Sequence, residues 1–137
     1  MTKYIVAYFS TLLVFLILDG LWLGVLMIGT YKQEIGPLML ESPKIVPAAV
    51  FYLCYAAGVI VFAIMPGIEA QQWQRAAILG VLLGLMAYGT YDLTNLATLK
   101  GWSLKLSLID LTWGAFATGV AATAGFFATS AWISRQA

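Results

Sequence analysis

The chain has 137 residues, 62% of them apolar and only 9% charged, and its mean hydropathy is +0.92. So little charge cannot supply the polar surface that a water-soluble domain of this size needs. A net charge of +1 offers no basic patch for nucleic acid, and the length fits one membrane domain, 1–137, with no soluble module.

Long apolar runs account for most of the chain, each near the ~20 residues that cross ~30 Å of hydrocarbon. The first, 4–28, is too long for a signal peptide, contains Asp19 and lacks a small-residue cleavage site. It reads as a retained helix. The second, 46–65, has Pro47 in its first turn, and Pro66-Gly67 is expected to end it. The third, 76–99, stops at Lys100-Gly101, and the fourth covers 104–133. All are continuously apolar, where barrel strands alternate and are shorter. The expected fold is all-α: a polytopic membrane protein, a four-helix transmembrane bundle whose first partner is the lipid bilayer.

Residues 30–45 (TYKQEIGPLMLESPKI) form the longest connector and read as a loop, with Glu34 and Glu41 as solvated charges. Trp73, Trp102 and Trp132 lie at run ends, where indoles anchor at headgroup level. The 30–45 connector and the Lys100–Ser103 turn share one side, here called distal. It holds Lys32, Lys44, Lys100 and Lys105, against Lys3, Arg75 and Arg135 on the other side. This near-balance leans toward a cytoplasmic distal side and permits dual topology.

There is no histidine and one cysteine, Cys54, in the second run. Histidine-based acid–base catalysis and histidine-ligated metals or haem are therefore ruled out. No disulfide can form within the chain, and Cys54 reads as a buried apolar thiol. No P-loop, G-x-G-x-x-G or G-x-S-x-G pattern occurs, so no cofactor is expected. No metal site is assigned, although Asp19, Asp92, Asp110 and Asn95 together have the oxygens to hold a divalent cation.

The informative residues are Asp19, Asp92 and Asp110, which lie inside the apolar runs, where a carboxylate is costly. Counted from the distal run ends at 1.5 Å per residue, each sits roughly 9–14 Å deep. Three acids on three helices thus fall at one level. Ionised together in a dry layer they repel, so at least one is protonated, or a cation or water enters. Gly84, Tyr88, Asp92 and Asn95 share one stripe of the third run, with Tyr91 beside it. Gly114, Ala117, Ala121, Gly125 and Ala128 form a small-residue face on the fourth, which admits another helix closely. That contact lies within the bundle, across a homo-oligomer or against a larger membrane enzyme. The pattern D-x-x-W occurs at Asp19–Trp22 and at Asp110–Trp113, and chance is a simpler account of it than an inverted repeat.

The bland reading is interhelical glue, worth ~0.6–2 kcal/mol per contact. The sharper reading is a binding site made of Asp19, Trp22, Tyr88, Tyr91, Asp92, Asn95, Asp110 and Trp113. Such a site suits protons, a cation or a small amphiphilic solute. A lipid-modifying enzyme is the alternative, with Asp92 or Asp110 as general acid or base and Tyr88 or Tyr91 as proton donor. A non-catalytic accessory subunit is the other.

The segments LDGLWLG (18–24), YGTYDLTNLATLKGW (88–102) and IDLTWG (109–114) resemble a bacterial family of small four-helix integral membrane proteins classed as a domain of unknown function. The resemblance covers the whole chain and marks Asp19, Asp92, Asn95 and Asp110 as motif positions. It implies a bacterial cytoplasmic membrane location and brings no substrate. It also hints at lipid chemistry, through an association with enzymes of the cyclopropane-synthase type.

Overall fold

A computed structural model describes residues 1–137. Helix α1, Thr2–Leu21, continues as a π turn, Trp22–Leu26. Helix α2, Ile28–Ile35, is followed by a 3₁₀ turn at Gly36–Leu38. Helix α3, Ile45–Val59, passes through a second π turn, Ile60–Ile64, into α4, Met65–Ala70. Helices α5, Trp73–Thr98, and α6, Leu104–Ser134, complete the chain. The fold is all-α. Four helical stretches are long and apolar enough to span a membrane: Thr2–Leu26, Ile45–Ala70, Trp73–Thr98 and Leu104–Ser134.

Outward faces carry Phe9, Leu13, Phe62, Met86 and Phe127, all exposed. In water such surfaces drive aggregation, whereas in hydrocarbon they match the solvent. The inside is built of smaller groups. Helix α6 is the centre, packed against both α5 and α1. Its inner face buries Gly114, Ala117, Ala121, Ala122 and Gly125. The small-residue face of the fourth run is therefore a contact within the chain. Gly84 and Gly114 let α5 and α6 approach so closely that a methyl group on Gly84 would meet the Gly114 carbonyl. Apolar packing continues with Phe15, Val59, Ile60 and Ile64.

The structure departs from the sequence expectations at three places. The second span does not end at Pro66 but runs on to Ala70. Proline breaks a helix by clashing with a carbonyl one turn back and lacking an N–H. Pro66 lies one residue past the Ile60–Ile64 π turn, whose widened register reaches Met65, so the chain continues helical. The 30–45 connector is not all loop, because its first part is α2. Cys54 is exposed on the outward face of α3 rather than buried.

Span two is joined to α5 mainly through the π turn and α4, and α3 leans on α1 instead. On the distal side α3 and α5 therefore diverge, and a cleft opens between them.

Candidate binding cleft

The cleft has a volume of about 480 Å³, within the ~300–1,000 Å³ usual for small-molecule sites. Asp19 from α1 and Asp110 from α6 form its polar floor, with Tyr31 from α2 and Tyr52 from α3. Leu23, Ala48 and Phe51 make one apolar wall, and Ala87, Tyr88 and Tyr91 of α5 make the other. No lysine or arginine lines it.

Each acid on the floor is held by aromatic donors. The Tyr52 hydroxyl donates to Asp19, and the Trp113 indole N–H donates to the other oxygen of the same carboxyl at 3.1 Å. The Tyr31 hydroxyl donates to Asp110, and the Trp22 N–H donates to that hydroxyl at 3.4 Å. The two D-x-x-W segments thus cross over. Trp113, on the helix of Asp110, serves Asp19, and Trp22, on the helix of Asp19, serves Asp110 through Tyr31. The two indoles stack between them, centroids 4.2 Å apart and planes 3° from parallel, a contact worth ~0.5–1.5 kcal/mol beyond burial. Trp22 is the first residue of the π turn that continues α1. Such turns recur at functional sites because they re-aim a side chain without breaking the helix.

All three membrane acids point inward: Asp19 is 4% exposed, Asp92 0% and Asp110 6%. Asp19 and Asp110 reach the cleft, while Asp92 lies behind its floor, sealed from it. Tyr88 lies with its ring over Gly114, which leaves no room there for a side chain. Tyr91 is half exposed and meets Trp102 edge-on at 5.4 Å. Asn95 is half-buried and outside the cleft. The arrangement of three acids and Asn95 around one divalent cation does not form, because no three acidic groups converge on a point. Tyrosine and tryptophan donors draw Asp19 and Asp110 to separate partners instead.

Two residues of the floor, Tyr31 and Tyr52, were not singled out by sequence. Tyr31 lies in the stretch that reads as loop, and Tyr52 in an apolar run where aromatics fit lipid or core equally well. For Tyr52 the usable signal is chemical: a phenol in an apolar span needs a hydrogen-bond partner, and carboxyls are the partners at hand.

Helix α2 is brought over the cleft by its own contact. The Ser103 hydroxyl, which also caps α6 by accepting from the Leu106 N–H at 3.0 Å, donates to Glu34. Lys105 pairs with Glu34 at 3.5 Å. Glu34 is thus a docking residue rather than a free loop charge. The Ser103 hydrogen bond, and after it the Lys105 charge, hold its carboxyl below the usual range. A depressed folded value means that this contribution is complete above the unfolded value of ~4.3 and fades as pH falls through the folded one. Amide exchange in 28–35 is expected to accelerate on acidification below about that pH. Glu34→Gln is expected to remove the dependence. Equal acid sensitivity in the variant would assign it to another group.

Fold and site together define a four-helix integral membrane protein with a carboxyl-floored cleft inside its distal half. The family described as "Predicted membrane protein (DUF2177)" matches residues 4–127, and the chain belongs to it. No curated protein and no solved structure matches the chain.

Proposed function

We propose that the cleft binds the cationic head of a small membrane amphiphile, taken up laterally from the bilayer between α3 and α5. The observation that carries this reading is the lining: two carboxyls at the floor, aromatic and aliphatic walls, and no basic side chain. An ammonium head supplies the positive charge that the chain itself does not place there, and the aromatic side chains Phe51, Tyr52, Tyr88 and Tyr91 line the cleft around it. The gap between α3 and α5 faces lipid, so an alkyl tail can stay in hydrocarbon while the head enters. In this reading the setting is a bacterial cytoplasmic membrane.

The test uses the purified protein in phosphatidylcholine nanodiscs with a photoactivatable hexadecyltrimethylammonium. Labelling is expected on α3 and α5. Unlabelled hexadecyltrimethylammonium should compete strongly, hexadecanol weakly and hexadecanoate not at all. Asp110→Asn is expected to weaken binding by about 10–150-fold, the worth of a contact to a charged group at ~1.5–3 kcal/mol. Equal competition by hexadecanoate would overturn the proposal, since the site would then be blind to head charge.

A further inference from the structure

Asp92 is the group that the cleft does not use. It is fully buried, and neither of its carboxyl oxygens has a hydrogen-bond partner. A buried carboxyl with no donor is rare, because an ionised one has only acceptor sites and loses all its hydration.

The register of α5 against α6 shows what it faces. A Cβ at Gly80 would meet Ala122, one at Gly84 would meet Gly114, and one at Gly89 would meet Leu111. Continuing this antiparallel pairing by one turn sets Asp92 against the Ser107–Asp110 turn. Ser107 is already committed, since its hydroxyl donates to the Ser103 carbonyl at 2.9 Å and accepts from the Trp102 N–H at 2.9 Å. Asp110, also buried, lies on that same turn of α6. The remaining titratable groups near Asp92 are Tyr31 of α2 and Tyr91 of α5. Tyr31 donates to Asp110. The nearby cation, Lys105, is turned outward to Glu34. Asp92 and Asp110 are thus two acceptor-only groups facing each other with no donor between them. One proton converts this repulsion into an O–H···O bond and gives a partner to one of the two orphaned oxygens.

We propose that Asp92 and Asp110 hold one proton between them, and that a cationic head arriving at Asp110 displaces it. Asp92 is sealed and Asp110 opens on the cleft, so the proton leaves to water through Asp110. One positive charge enters and one leaves, and the balance of charge in the site is unchanged. The cation then offsets from the cleft side, at Asp110, the negative charge that the proton had offset between the two acids. The pair stands on the ligand-free protein, whereas the exchange rests on the amphiphile reading above.

Infrared difference spectroscopy tests the pair without ligand. Near neutral pH, wild type and Asp19→Asn are expected to show the C=O stretch of a protonated carboxyl, shifted in heavy water. Asp92→Asn is expected to lack the band, since its amide N–H can donate to Asp110 directly and no proton is needed. Absence of the band in wild type, or its survival in Asp92→Asn, overturns the pair. The exchange is read with a pH indicator in weak buffer, using hexadecyltrimethylammonium, whose charge cannot titrate. Binding is expected to release about one proton per site from wild type and none from Asp92→Asn, as one cation replaces one proton at the pair. Binding without release overturns the exchange. Failure to bind removes the amphiphile reading and the exchange with it, and leaves the infrared result to decide the pair.

Discussion

Gly84→Ala is expected to force α5 away from α6 and to lower the melting temperature of the purified protein sharply, while Gly20→Ala is expected to leave it unchanged or slightly raised. Both glycines are in helices, so both gain the ~0.5–1 kcal/mol by which alanine is the better helix former. Their surroundings differ. A Cβ on Gly20 meets nothing within 4 Å. A Cβ on Gly84 would sit against the Gly114 carbonyl oxygen, 2.7 Å from its carbon and 2.9 Å from the Thr118 hydroxyl. Those are backbone and packed core atoms, which cannot rotate aside. Overpacking of this kind costs ~1–3 kcal/mol even where side chains yield, so the net change remains destabilising. Gly114→Ala has a different outcome. Its methyl would enter the Tyr88 ring at Cγ, the end bonded to that residue's own Cβ, so the whole Tyr88 side chain would have to shift. If Gly84→Ala melts together with Gly20→Ala in the same detergent, the close approach of α5 and α6 is wrong.

That close approach also shows what was legible in the sequence. Glycines, alanines and long apolar runs are statements about composition and spacing, and they suffice for an all-helical membrane fold with a small-residue core. The fixed rise along a helix also brings Asp19, Asp92 and Asp110 to one level before any coordinates. What such reasoning cannot supply is rotation and partnership. It put Cys54 inside, although α3 turns that residue outward, because apolar residues in a span carry no mark of whether they face lipid or protein. It ended the second span at Pro66 because a π turn leaves no signature in an apolar run. It left Tyr31 and Glu34 in a loop, since α2 is a short helix set by docking onto the start of α6 rather than by its own pattern. The crossing of the two D-x-x-W segments followed from rotation as well.

The crossed contacts make a second large effect testable, because they separate stability from binding. Asp19→Leu is expected to destabilise the protein by about 1–4 kcal/mol, since it strands two donors, the Tyr52 hydroxyl and the Trp113 N–H, against an apolar group. Adding Tyr52→Phe removes one stranded donor together with its acceptor. Replacing both partners of a buried hydrogen bond by apolar groups is far less costly than removing one. The double variant should therefore be more stable than Asp19→Leu alone, the residual loss being that of the Trp113 N–H. The single variant Tyr52→Phe should be mildly destabilised, so the cycle gives a coupling energy of opposite sign to simple addition. A double variant no more stable than Asp19→Leu would mean that Tyr52 and Asp19 do not act as a pair. Binding of hexadecyltrimethylammonium should follow the other pattern. It should fall in Asp19→Leu and stay low in the double variant, because restored packing does not restore the carboxylate that meets the ammonium. Wild-type affinity in the double variant would reduce Asp19 to interhelical glue and leave Asp110 alone to hold the ligand.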